Sequence, residues 1–317
     1  MADGSRSLAL AARGVVRRYR ARGGLGASGA QVVAVAGVTL ELEVGELYGL
    51  VGESGAGKST LARLLVGLER PDSGAVTING QTLDTLRGAE LREARRRAQL
   101  VFQDPAAALD PLQTVGSVVT EPLLVHRTVP TGGRRRRVRE LLSGVGLPTA
   151  DEFLARRPAE LSCGERQRLA IARALACEPR ALVLDEPVSA LDVSVRGQVL
   201  NLLSELHERL SLTTLLIAHD LDVVAFLCDR VGVMLGGYLV EEGRADEVIR
   251  RPRHPFTAAM VGAAAPVGPA HRLEAVPPGT CPYSGRCPSE GGECVNAPPK
   301  AAAATGHCVA CYFPRGS

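Results

Sequence analysis

Nine residues, GESGAGKST at positions 52–60, have the types and spacing to cradle a phosphate chain, G-x-x-x-x-G-K-[ST]. Glycines let successive backbone N–H groups curl around phosphate oxygens, and a helix starting behind them adds partial positive charge. Gly52, Ser54, Gly55 and Gly57 supply that curl, and Lys58 offers a point charge to the outer phosphates. Ser59 offers a hydroxyl ligand for Mg²⁺, with Thr60 beside it. Further on, ALVLDEP ends an apolar run in two carboxylates. Asp185 could hold Mg²⁺ through water, and Glu186 could orient and deprotonate an attacking water. A DE pair after a buried strand is a weak signal alone, since it is often only a strand exit. Next to a phosphate loop it describes nucleotide hydrolysis.

A second constellation lies in the tail. Five of the eight cysteines fall in the last 37 residues, spaced C-x₅-C-x₆-C-x₁₃-C-x₂-C from Cys281 through Cys287, Cys294 and Cys308 to Cys311. Thiols in a reducing compartment suit a metal better than disulfides. Cys308 and Cys311 form a CxxC that would also suit zinc. Cys177 and Cys228 read as small buried apolar residues.

The elements that must position these groups are legible as periodicities. Residues 8–19 and 32–44 alternate as strands, with the Gly-rich ARGGLGASGAQ between them as a loop. ELYGLVG is a buried strand and KSTLARLLVGL a helix, so the phosphate loop sits at a strand–loop–helix junction. RQRLAIARALA and VRGQVLNLLSELHERL read as helices, and ALVLDEP and TTLLIAHD as buried strands. This alternation predicts an α/β fold on a mainly parallel sheet. Residues 104–160 carry turn signals and amphipathic stretches, a helical insert whose basic run at Arg134 to Arg139 reads as a solvated face. Beyond residue 251 the chain turns Pro-, Gly- and Ala-rich and is too short to bury a core of its own.

Composition narrows the function. At 317 residues the chain has room for one large domain with an appendage, or for two domains. Aromatics are 3% with no Trp, and net charge is +3, which speak against a base-stacking platform and against nucleic-acid binding. Neither a secretory signal nor a membrane-length apolar run is visible, so a soluble intracellular chain is expected, with any membrane role exercised through a partner.

Five motifs in one order resemble the ATP-binding-cassette (ABC) ATPases. LSCGERQRLAIARAL from Leu161 resembles their signature sequence, Gln103 in LVFQDP their Q-loop, SALD at 189–192 their D-loop, and His219 in LLIAHD their switch histidine. Tyr19, 33 positions before Gly52, fits the aromatic that stacks on adenine. The resemblance spans about residues 8–250. It implies a P-loop cassette fold with a mainly parallel core, an antiparallel β part and a helical subdomain, followed by a small irregular Cys-rich extension over 251–317. It implies ATP and Mg²⁺ as ligands, with Ser59, Gln103 and Asp185 on the metal. It also implies two cassettes closing head to tail. Lys58, Ser59, Gln103, Asp185, Glu186 and His219 of one would face Ser162 and Gly164 of the other across the γ-phosphate, with Asp192 in the D-loop. Cys163 departs from the family glycine, and a side chain there is expected to crowd the partner's nucleotide or to demand a backbone angle that cysteine disfavours. Glu165 in place of Gln reads as a milder change.

The insert FQDPAAALDPLQTVG and the later RHPFTAAMVG resemble the cassette subunits of oligopeptide, dipeptide and nickel importers, with Phe256 for Tyr. That resemblance implies a subunit at the cytoplasmic face of the membrane. Its partners would be a second cassette in a heterodimer, two transmembrane permeases docking near 103–116 and an extracytoplasmic binding protein. It implies a [4Fe–4S] cluster on Cys281, Cys287, Cys294 and Cys311, with zinc as the alternative. Nickel or another small solute remains an alternative cargo. Two alternatives to an importer ATPase also stay open, a mainly regulatory, weakly hydrolysing cassette and a soluble non-transport ATPase.

Overall fold

The computed structural model describes residues 7–20, 31–262, 279–299, 302–303 and 306–315. The Gly-rich segment expected as a loop at 21–31 lies almost wholly outside them, as do residues 263–278.

Two sheets organise the chain. The smaller is antiparallel, in the order β2 (Gln31–Glu43), β1 (Leu8–Arg20), β4 (Ser73–Ile78), β5 (Gln81–Thr82). The larger is mixed. Its parallel part is β9 (Arg230–Leu235), β3 (Leu47–Gly52), β8 (Thr213–Ile217), β7 (Ala181–Asp185) and β6 (Ala98–Val101). Beyond β9 it continues antiparallel through β10 (Tyr238–Arg244), β12 (Cys308–Val309) and β11 (Ala302–Ala303).

The central strands are apolar on both faces because both faces are covered, as parallel sheets require. Successive side chains point to opposite faces, so each strand feeds two cores. Tyr48, Leu50, Val183, Leu215 and Ile217 pack with the antiparallel sheet and with α1 (Lys58–Leu65). Leu47, Val51, Leu182, Leu184 and Leu216 join the other core, with α7 (Cys163–Leu175) and α8 (Val193–Leu210).

Between β5 and α7 the chain forms α2 (Gly88–Arg97), β6, α3 (Pro105–Ala108), α4 (Val115–Val125), α5 (Arg134–Gly144) and α6 (Asp151–Leu154). The basic run begins α5, and its charges are mostly exposed and partly neutralised locally. Arg135 and Arg139 share Asp151, and Arg137 pairs with Glu140. After α9 (Leu221–Leu227) and α10 (Ala245–Arg250), α11 (Pro255–Met260) opens the HPFT segment.

Among the described residues the tail builds no separate core. Phe256, Cys281, Tyr283 and Cys294 are buried in the second core of the main sheet. Its anchor is Glu241 on β10, whose carboxylate is 1% exposed and accepts from the backbone N–H of Arg253 and His254. The His307 ring pairs with the same carboxylate at 2.7 Å. A buried charge of this kind is tolerable only when it is hydrogen-bonded and paired. No helix among the described residues is long and apolar enough to cross a membrane.

Candidate nucleotide site

The phosphate loop leaves the end of β3 and enters α1. Two of its glycines are required by close approach as well as by backbone angle. Gly52 has φ 152°, and a Cβ there would lie 2.1 Å from the Met234 carbonyl oxygen. Gly57, the N-cap of α1, has φ 100°, and its Cβ would meet the Ala34 oxygen at 2.0 Å. Both glycines press the loop against fixed backbone, so a side chain could be admitted only by displacing the loop. Ser54 and Gly55 lie at its exposed crest, and Thr60 is buried at the start of α1, where its hydroxyl accepts from Arg63.

Lys58 is 4% exposed and turns back into the loop, donating to the carbonyls of Gly52 at 2.7 Å and Glu53 at 2.9 Å. Burial lowers its pKa, opposed by the nearby carboxylates of Glu186, Asp185 and Glu53. Ser59 donates to Asp185 at 3.1 Å, so the two groups expected to share Mg²⁺ are already neighbours. Burial raises the Asp185 pKa, against the Ser59 hydrogen bond and the charges of Arg63 and Lys58.

Glu186 follows β7 in the left-handed region, with φ 49°, which is uncommon for a side-chain-bearing residue and concentrates at functional sites. The turn keeps its carboxylate buried, 6% exposed, and aimed at two polar groups. Gln103 donates to one oxygen at 2.5 Å, and the His219 ring pairs with the other. Thus the ends of β6, β7 and β8 converge with the phosphate loop on one spot, at the carboxyl ends of parallel strands where α/β sheets bind ligands.

Ser162, Gly164 and Asp192 form a second group. Ser162 caps α7, accepting from the Glu165 N–H, while Glu165 reaches back to the Ser162 N–H at 2.8 Å. Glu165 therefore completes a capping box. The expectation of a disfavoured angle at Cys163 is corrected: Cys163 begins α7 with helical backbone and is absent from the positive-φ residues. Its side chain is exposed, with the Arg166 guanidinium 3.1 Å from Sγ. Gly164 abuts α8, where a Cβ would lie 2.6 Å from Val195 Cγ1. Asp192 caps α8 by accepting from Val195 N–H.

Tyr19 stands on β1 with its hydroxyl donating to Glu69 at 2.5 Å and the Arg17 guanidinium 4.9 Å from its ring centre. Glu69 also accepts from Arg17 and from Arg63 of α1. Burial pushes the Glu69 carboxyl up, but these hydrogen bonds and charges outweigh it and hold the pKa below the usual range. Sequence reading missed Glu69, because no motif marks it.

The chain matches the family model of the ABC transporter over residues 35–189, and that of the oligopeptide/dipeptide transporter C-terminal region over 240–294. It is 39% identical over 307 residues to the dipeptide transport ATP-binding protein DppF of Escherichia coli (strain K12), covering 93% of this chain and 91% of that one. The chain belongs to the ATP-binding subunits of the oligopeptide/dipeptide ABC transporters. A second such subunit, the oligopeptide transport ATP-binding protein OppF of Salmonella typhimurium (strain LT2), is 42% identical over 292 residues, covering 88% of this chain and 87% of that one. Among solved structures, a dimeric post-hydrolysis state of the ATP-binding cassette MJ0796 bound to ADP and Pi superposes with a TM-score of 0.65 at 31% identity. That match covers 74% of this chain and 98% of the other. As an ABC transporter ATPase, the chain has the α/β cassette fold with a mixed sheet and an antiparallel β part.

Burial raises the pKa of four of the tail thiols. Burial raises the pKa of Cys311 to about 11, and the charges of Cys287, Cys281 and Cys294 act on it as well. Cys281 and Cys287 are raised mainly by burial too, and each feels other members of this set. Cys281 N–H donates to the Cys294 carbonyl at 3.1 Å. Cys308 instead lies beside Glu242 and Arg230. Among the described residues no three His, Cys, Asp or Glu side chains group closely enough to hold a metal ion.

Proposed function

We propose that this ABC ATPase powers uptake of peptides by a transporter at the cytoplasmic face of the membrane. In this reading residues 8–250 form the ATPase domain, 104–160 its helical part, and 251–317 the extension. The observation that carries the catalytic assignment is the convergence of Lys58, Ser59, Asp185, Glu186, Gln103 and His219 from four separate elements. Lys58 binds the outer phosphates, and Ser59, Asp185 and Gln103 hold Mg²⁺. Glu186 takes a proton from the attacking water while His219 orients it. Tyr19 stacks on the adenine. Gly52, Ser54, Gly55, Gly57 and Thr60 line the phosphates. Ser162 and Gly164 of α7, with Asp192, complete the site of a second cassette, so the working unit is a dimer, here a heterodimer. A groove of about 350 Å³ lined by Phe102, Leu109, Glu121 and Val125 is where we seat one of two transmembrane permeases, which a binding protein outside the membrane supplies.

Peptide cargo is supported by the relatives' names and by the C-terminal region's match. The test is ATPase activity of the assembled transporter: stimulation by peptide-loaded binding protein is expected, and stimulation by a nickel-loaded one alone would overturn the cargo. We also propose that Cys281, Cys287, Cys294 and Cys311 hold a [4Fe–4S] cluster. What supports this reading is the C-terminal cysteine pattern itself, since four thiolates satisfy such a cluster. Bound, such a cluster would supply a covalent brace for a segment without its own core. Anaerobically purified chain lacking iron and the visible iron–sulfur absorption would dispose of it.

A further inference from the structure

The tail touches the phosphate loop. Arg286, one residue before Cys287, makes a two-pronged ion pair with Glu53, Nη1 to Oε1 at 2.9 Å and Nη2 to Oε2 at 3.3 Å. Glu53 is the second residue of the phosphate loop, and its own carbonyl receives Lys58 Nζ at 2.9 Å. The guanidinium is held from behind by Tyr283, whose ring centre lies 5.2 Å from Cζ. Tyr283 is itself buried against Phe256 and His254, so Arg286 projects from a fixed platform. A second contact reinforces the first. Pro282 lies against Gly236, where a Cβ would meet it at 2.6 Å, and the next residue, Gly237, donates its N–H to the Ala56 carbonyl in the middle of the phosphate loop. The segment 282–286 thus meets the loop directly at Glu53 and leans on the turn whose Gly237 holds Ala56.

Charge gives this contact a direction. A carboxylate in a loop that must receive a polyanion repels it, and Glu53 is such a carboxylate. Paired bidentately with a guanidinium, its charge is locally neutralised and its side chain is fixed. We propose that Arg286 is a positioning residue for ATP binding, acting through Glu53: the cysteine-rich tail neutralises and steadies the phosphate loop. The proposal holds whatever the tail thiols bind, because it rests on Arg286, Tyr283 and Pro282 and on no ligand of theirs.

The test uses the full-length chain for ATP affinity by calorimetry, and the assembled transporter for KM and kcat. Arg286→Ala is expected to raise the Kd and KM for ATP about three- to tenfold while kcat stays within about twofold. Adding Glu53→Gln to it is expected to restore most of the affinity, because the uncompensated charge is gone. Arg286→Lys, which keeps the charge but loses the fork, should fall between wild type and Arg286→Ala. An unchanged Kd in Arg286→Ala overturns the proposal. So does a loss that Glu53→Gln fails to relieve, since it would then come from an undocked tail. If Arg286→Ala does not fold, Arg286→Lys with and without Glu53→Gln decides by the same criterion.

Discussion

Replacing His254 with asparagine tests how the tail is held and gives a pH signature that can be worked out in advance. His254 is 1% exposed, and its Nδ1 accepts the Phe256 N–H at 3.0 Å, capping α11. Burial holds its pKa at about 4, against an ordinary 6.5. The folded state therefore keeps the ring neutral while the unfolded chain binds the proton, so stability present above pH 6.5 is lost as pH falls towards 4. With each unit worth about 1.36 kcal/mol, the full loss is about 3 kcal/mol, and about 2 kcal/mol of it is spent between pH 7.5 and pH 5. Protonation also turns Nδ1 into a donor and abolishes the cap. Asparagine can cap a helix but does not titrate in this range. Thermal melting of the two proteins over that interval should show wild type losing about 4 °C more than His254→Asn, taking about 2 °C per kcal/mol for a large domain. Parallel pH profiles would refute the reasoning, because they would mean that the buried ring does not carry the proton linkage.

Three further outcomes follow from the site. Glu186→Gln should lower ATP turnover by about 10²–10⁴ with ATP affinity retained, the range for losing a general base, as steady-state hydrolysis and binding would show. Gly164→Ala should destabilise the chain by about 1–3 kcal/mol in a denaturant titration, because its Cβ would lie 2.6 Å from the stiff Val195. Cys163→Gly should raise turnover of the complete transporter if the side chain crowds the facing nucleotide, whereas unchanged activity would remove that concern.

The phosphate loop, the carboxylate pair and the strands that present them were legible because each is written within a few residues. Apolar runs of five or six residues mark strands buried on both faces, and the motif fixes the turn between β3 and α1. The capping box at the start of α7 was equally local, since S-x-x-E stands at 162–165, yet Glu165 was read as a substitution instead of a cap. The backbone worry at Cys163 failed for the same reason: the Ser162 cap sets that residue inside the helix. Glu69 escaped notice because its link to Tyr19 spans 50 residues and depends on how β1 lies beside α1.

The sequence by itself determined which residues could bind phosphate, hold a metal or activate water, since that chemistry resides in side-chain type and short spacing. Only the tertiary structure decided that Gln103 and His219 meet on Glu186 and that Arg286 reaches Glu53 across 233 residues. The physical reason is shared. Buried charges must find partners once water is excluded, and which partner lies within reach is set by strand order and docking, which no local spacing records.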